Sequence, residues 1–152
     1  MGYDVTTVEL PEQPTAVVRG TVPTEGIAAF LGRSFGEIMA VVGPAGLQPA
    51  GPAFARYTAG GASGWQVEAG FVLPRPLDGA RGNVEPCSLP GGTAARTLHV
   101  GDYGGVGSAY EAIGAWLPEH ELEASGPPWE CYLDGPEVAQ PRTEVYQPCQ
   151  PA

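Results

Sequence analysis

The chain has 152 residues, a formal net charge of -10 and seven cationic side chains that are all arginine. So acidic a surface repels phosphate backbones and argues against nucleic-acid binding by this chain alone. It favours cationic small molecules or a basic protein partner, or simply keeps the chain in solution. No stretch approaches the ~20 apolar residues that span a bilayer, and Met1-Gly2-Tyr3-Asp4-Val5 has neither a basic start nor an apolar run, so a soluble cytoplasmic protein is expected.

A chain of this size buries roughly 70% of its unfolded surface and needs no staple. The cysteines (Cys87, Cys131, Cys149) are odd in number, form no C-x-x-C, and have only His99 and His120 to join them. Neither a disulfide framework nor a metal or other cofactor site is expected. The 23 Gly and 17 Pro fall between apolar periodic segments and read as turns.

In chain order, Val5–Leu10 and Thr15–Thr21 read as strands, the second from its β-branched Val17-Val18. Thr24 is placed to cap a helix in which Ile27, Phe30, Leu31, Phe35, Ile38 and Val42 fall near helical spacing, ended by Gly43-Pro44. Strands follow at Ala53–Thr58 and, after a turn over Gly60–Gly64, at Trp65–Leu73. Val84–Leu89 and Ala94–His99 read as extended. Val106, Ala109, Tyr110, Ile113, Trp116 and Leu117 then form one helical face stopped by Pro118. Strands at Trp129–Leu133 and Arg142–Gln147 complete the chain.

The order strand, helix, strand, strand thus occurs twice, and one segment shows the duplication directly. Gly51-Pro52-Ala53-Phe54-Ala55-Arg56-Tyr57 returns 75 residues later as Gly126-Pro127-Pro128-Trp129-Glu130-Cys131-Tyr132. Ala55 has become Glu130. Ile27 pairs with Val106 at an offset of 79, so the helix and its following loop are four residues shorter in the second copy. A single α+β domain over 1–152 is expected, with repeat one at about 4–75 and repeat two at about 82–148. Two such units pack most simply as a pseudo-twofold pair with a groove between them, a common place for a small-molecule pocket.

Alternation along a strand puts Glu130 and Tyr132 on one face, with Trp129 and Cys131 on the other. Ala55 and Tyr57 share the corresponding face of the first copy. A carboxylate among aromatic rings binds an organic cation through charge and cation–π contacts worth about 0.5–2 kcal/mol each, or holds a raised pKa and acts as general base or acid. The plain alternative is an exposed Glu130 beside a surface cation such as Arg142. Glu130, Tyr57, Trp65, Phe71, Tyr103 and Tyr132 are the candidate ligand-binding residues, with Tyr110 a further plausible neighbour of the groove.

Several motifs carry a resemblance. They are Glu9-Leu10-Pro11, the Arg-Gly-Thr-Val-Pro turn at 19–23, Gly51-Pro52-Ala53-Phe54, Trp65-Gln66-Val67-Glu68-Ala69-Gly70-Phe71, His99-Val100-Gly101-Asp102-Tyr103-Gly104, Trp129-Glu130-Cys131-Tyr132-Leu133 and Arg142-Thr143-Glu144-Val145-Tyr146. The ordered set, from about residue 4 to 148, resembles the GyrI-like effector-binding domain family, also found as the C-terminal half of multidrug-sensing bacterial transcription activators. The resemblance implies a duplicated SHS2-type unit with a ligand cleft between the copies. It also implies a pocket glutamate, matching Glu130, that contacts cationic ligands. The chain departs from the family at Asp102, where Pro is usual, at Cys131, and at the Gly135-Pro136 turn. With residues 4–148 occupied by this fold, a standalone member without a DNA-binding segment is expected. The resemblance implies three roles: a sensor or sequestering protein for small molecules, an inhibitor of a protein partner such as DNA gyrase, or a hydrolase of strained cyclopropane-bearing natural products. In the last role Glu130 would activate water and Tyr132 would stabilise the developing charge.

Other signals are set aside. Gly105-Val106-Gly107 lacks the third glycine of a dinucleotide loop. No G-x-S-x-G occurs, and Ser63, Ser88, Ser108 and Ser125 have no nearby His. Cys131, facing away from Glu130, reads as a buried inert thiol. His99 reads as a strand-end residue with a local hydrogen bond, Tyr110 and Trp116 as core, and Glu68 and Glu144 as solvent-facing or structurally paired, with a pocket role open to either.

Overall fold

Buried residues recur every fourth position on each helix of this chain: Phe30, Ser34, Ile38 and Val42 on one, Ala109, Ile113 and Leu117 on the other. That spacing lays one stripe of each helix against a sheet. The computed structural model describes residues 3–61, 64–135 and 137–152. Its strands are β1 (Thr6–Leu10), β2 (Gln13–Val22), β3 (Ala53–Gly61), β4 (Gly64–Val72), β5 (Glu85–Leu89), β6 (Gly92–Val100), β7 (Leu122–Ala124), β8 (Trp129–Tyr132) and β9 (Arg142–Pro151). Its helices are α1 (Ile27–Val42) and α2 (Gly107–Glu119), each preceded by a short 3-10 turn. No helix among the described residues is long and apolar enough to cross a membrane.

Contacts divide the chain into two compact units. In Glu12–Pro90 the antiparallel strand order is β3-β4-β2-β5, with α1 packed on β2 and β4. Met1–Pro11 with Gly91–Ala152 has the antiparallel order β1-β6-β9-β8, β7 on the far end of β9, and α2 against β6 and β7. Each unit contains the expected succession of strand, helix, strand, strand. β1 pairs with β6 from Thr6↔Arg96 to Leu10↔Gly92, so the strand that opens the chain lies in the C-terminal unit. Pairing across that separation has no local sequence signature.

Three local details differ from the sequence reading. Thr24 makes no side-chain cap; it begins the 3-10 turn, and its hydroxyl accepts the Trp65 indole N–H at 3.2 Å. α2 runs one residue past Pro118, tolerated so close to a helix end because the turn closes through His120 N–H to the Leu117 carbonyl. β7 was not expected, being only three residues long. The turns read over Gly60–Gly64 and at Gly135-Pro136 include Ala62, Ser63 and Pro136, which lie outside the described residues.

The sheets present small residues to their helices. Ala16, Ala55 and Ala69 are fully buried, and the space where Gly20 would carry a Cβ is filled by the Phe30 ring. Ala95, Val145 and Cys149 form one cluster with Ala109, Ile113 and Leu117 of α2. On the opposite face of the N-terminal unit, Glu68 is 8% exposed and paired with two arginines, Arg19 Nε at 3.0 Å and Arg56 Nη1 at 3.5 Å. Gly70, opposite Phe54 on β3 and Val17 on β2, is closely enclosed. A Cβ there would stand 2.6 Å from the Ala16 carbonyl oxygen and 2.8 Å from side-chain atoms of Phe54 and Val17. Backbone oxygen cannot retreat as a side chain can. Gly70→Ala is therefore expected to destabilise the fold by about 1–3 kcal/mol, read in urea denaturation as a lower midpoint at unchanged slope.

Candidate functional site

β8 is short, but its register decides where its side chains go. Glu130 is opposite Val145 and Tyr132 opposite Thr143 on β9. Val145 is part of the cluster beneath α2, so Glu130 and Tyr132 share the helix-facing side of this unit. α2 returns the contact. Tyr110 follows the buried Ala109 and lies three residues before Ile113, and its hydroxyl donates to Glu130 Oε2 at 2.6 Å. The Tyr132 hydroxyl donates to Glu130 Oε1 at 2.9 Å. Glu130 is 6% exposed.

Burial raises the Glu130 pKa above the ordinary glutamate range, because the ionised form loses its hydration. The hydrogen bonds from Tyr110 and Tyr132 and the field of His99 oppose that rise without cancelling it. No arginine forms a salt bridge with Glu130 among the described residues. The surface alternative therefore fails. Arg142 is instead held by Asp134, through Nε to Oδ2 at 2.9 Å and Nη2 to Oδ1 at 3.1 Å.

His99 makes the local bond expected of it, Nε2 to the Asp102 carbonyl at 2.8 Å, and a distant one to the Tyr3 hydroxyl from Nδ1 at 2.9 Å. A carbonyl only accepts, so Nε2 carries a proton and donates to it. Tyr103, 36% exposed, donates to the Asp134 carbonyl at 3.0 Å and sets its ring edge-to-face with Tyr132, centroids 5.8 Å apart.

Of the six candidate residues, Glu130, Tyr132 and Tyr103 thus come together. Tyr57 and Trp65 form a pair of their own in the other unit, edge-to-face at 5.8 Å with Trp65 40% exposed. Phe71 lies against Phe35 of α1 at 5.4 Å. Tyr110, which the sequence offers both as a neighbour of this groove and as core, is a hydrogen-bond partner of Glu130. A signal was present, since the 79-residue offset places Leu31 at its position in the first copy. Cys131 lies opposite Glu144, turned from Glu130, and burial with the two carboxylates pushes its thiol up to about 12. No group of three or more His, Cys, Asp or Glu among the described residues is arranged to hold a metal.

Two outcomes follow from this electrostatic arrangement. Tyr110→Phe and Tyr132→Phe should each raise the Glu130 pKa further, Tyr110→Phe the more, as read from the Glu130 carboxyl carbon in an NMR titration. An unchanged midpoint in both variants would show that the hydroxyls do not stabilise the carboxylate. Cys131 should resist alkylation by iodoacetamide at pH 8 until the protein is unfolded.

Among curated protein sequences none matches this chain. Solved structures do. The crystal structure of the EcmrR C-terminal domain has 22% sequence identity and a TM-score of 0.84, with 100% of both chains covered. In the EcmrR–DNA complex, at 23% identity and the same TM-score, the match covers 99% of this chain and 58% of that one. A hydrolase from Listeria innocua is 14% identical with a TM-score of 0.70, covering 98% of this chain and 93% of its own. SAV2435 bound to tetraphenylphosphonium is 13% identical with a TM-score of 0.62, covering 99% and 94%. At these identities the likeness is one of fold. The sequence itself matches the GyrI-like small molecule binding domain over residues 3–150, which reaches into every element described above, and the chain belongs to that family.

Proposed function

We propose that this chain binds hydrophobic organic cations, as a sensor or sequestering protein, with Glu130 as the charged anchor. The observation that carries this reading is a contrast between the two buried acids among the described residues. Glu68, at 8% exposure, is neutralised by Arg19 and Arg56. Glu130, at 6% exposure, has tyrosine hydroxyls and no arginine. Phenols stabilise a carboxylate but leave its charge in place, and an arriving cation supplies the missing partner. Tyr103 and Tyr132 provide ring faces for the cation–π part of the contact, with Tyr57, Trp65 and Phe71 as further candidate contacts. A structural relative that holds tetraphenylphosphonium supports the ligand class.

Cation binding favours the ionised form of Glu130 and so expels its proton. The raised pKa sets the sign. Affinity increases as pH rises through the pKa of the free protein and falls below it. Folding has the opposite dependence, since a raised acid favours the folded state most at pH below about 4.3, the ordinary glutamate value, and that contribution is lost as pH rises through the folded pKa.

A second reading uses the same groups for hydrolysis. It is favoured by the raised pKa of Glu130, which makes its carboxylate a better base, and by the likeness to a Listeria innocua hydrolase. A water would lose a proton to Glu130, its oxygen would bond to a strained cyclopropane carbon, and the breaking ring bond would deliver its electrons to an adjoining carbonyl oxygen facing the Tyr132 hydroxyl. The ring would leave as an opened alcohol after protonation.

Calorimetric titration of tetraphenylphosphonium into wild type and Glu130→Gln tests the first reading. The variant should bind at least about tenfold more weakly, a difference of about 1.4 kcal/mol, and should lose both pH dependence and proton release. Equal affinities would end it. For the second, incubation with a spirocyclopropyl electrophile should show addition of one water by mass spectrometry, abolished in Glu130→Gln; turnover at the wild-type rate in the variant would end that mechanism.

A further inference from the structure

Thr143 of β9 is completely buried, and its hydroxyl oxygen has no hydrogen-bond partner among the described residues. It is the cross-strand partner of Tyr132 on β8 and of His99 on β6. Side chains so paired share a face with Cβ atoms about 4.5–5.5 Å apart. Glu130 pairs with Val145, two residues along β9, which makes the carboxylate and the Thr143 hydroxyl diagonal neighbours on the side facing α2.

The adjoining polar atoms are already engaged. Both nitrogens of His99 are bonded, to Tyr3 and to the Asp102 carbonyl, and the Tyr132 hydroxyl donates to Glu130. The other unit supplies an internal control. There the residue paired with both Tyr57 and Gly20, as Thr143 is with Tyr132 and His99, is Val67, 1% exposed. Valine has the shape of threonine without the hydroxyl, so the backbone accepts the apolar residue at this register. An enclosed, unpaired hydroxyl is destabilising, and packing alone would favour valine. The polar residues arrive together: Glu130 where the first copy has Ala55, Tyr110 where it has Leu31, Thr143 where it has Val67, His99 where it has Gly20.

We infer that Thr143 is a second polar contact of the Glu130 site, accepting an N–H from the bound cation, and that the site selects ammonium or amidinium groups carrying N–H donors over quaternary cations. This rests on cation binding at Glu130. The Glu130 carboxylate accepts one hydroxyl on each oxygen and retains lone pairs for a donor. A nitrogen making two hydrogen bonds of about 2.9 Å brings its acceptors within about 6 Å of each other, a separation that diagonal neighbours, about 7–8 Å apart, reach through a side chain as long as glutamate. A quaternary ammonium satisfies the charge of Glu130 and leaves the Thr143 hydroxyl unpaired. Entry requires rotation of Tyr132, which is only half-buried and contacts the exposed Tyr103 ring.

Benzyldimethylammonium, with one N–H, and benzyltrimethylammonium, with none, differ by a single methyl group and provide the test by calorimetry at pH 7.5. Wild type should prefer the N–H cation by about tenfold. Thr143→Val should remove that preference, weakening the first ligand about tenfold and leaving the second within about twofold; Thr143→Ser should keep it. If melting shows the valine variant unfolded, Thr143→Ala makes the same comparison. Absence of a wild-type preference, or a preference that survives loss of the hydroxyl, overturns the inference. Glu130→Gln should weaken both ligands. Unchanged affinities in that variant refute the Glu130 anchor; binding of neither amine to wild type overturns the inference, and the anchor is then judged by tetraphenylphosphonium alone.

Discussion

A carboxylate moved out of water loses hydration that only another charge, or several well-placed donors, can replace. Glu130 receives two phenolic hydrogen bonds, at 2.6 and 2.9 Å, and its pKa remains raised. The balance is incomplete in a specific sense: solvation is partly restored and charge is not. The arrangement around the site follows from this. Tyr110 brings α2 onto β8, Tyr132 bridges from the carboxylate to the Tyr103 ring, and His99 is oriented by Tyr3 and the backbone at Asp102.

The same chain shows how it handles a buried acid with a structural task. Glu68 has Arg19 and Arg56 beside it, and Arg19 also bonds Glu85. Ion pairs of this kind close on themselves and leave no charge for a ligand. Duplication makes the contrast informative, because both acids stand on comparable sheets. In the N-terminal unit the helix-facing side is small and apolar, with Ala55 and Ala69 fully buried. In the C-terminal unit the equivalent face grades from the Ala95–Ile113–Val145 cluster to the polar group of His99, Glu130, Tyr132 and Thr143. One backbone plan thus carries a plain apolar core in one copy and a partly polar one in the other.

The helices were legible because their apolar residues recur with helical period and meet Gly or Pro near their ends. The strands other than β7 were legible to within a few residues from their alternation and bounding turns. The pairing of β1 with β6 was not, since register between strands whose partners lie 82 to 90 positions apart is set by packing rather than by local pattern. Tyr110 was left between core and groove because an aromatic on an apolar helical stripe fits both, and only the facing strand shows that it meets a carboxylate. Thr143 gave no signal by itself. A hydroxyl's significance depends on whether a partner is within reach, and that is a property of three strands at once.

By itself the sequence determined the duplication, the alternation that separates Glu130 and Tyr132 from Cys131, and the loss of symmetry at Ala55 and Glu130, because these depend on spacing along one chain. Tertiary structure alone decided that Glu130 is enclosed with no arginine paired to it among the described residues, that Tyr110 is its partner, that Tyr57 and Trp65 pair with each other, and that Arg142 belongs to Asp134. Burial and charge balance are set by what other segments bring to a side chain, and no local pattern encodes them.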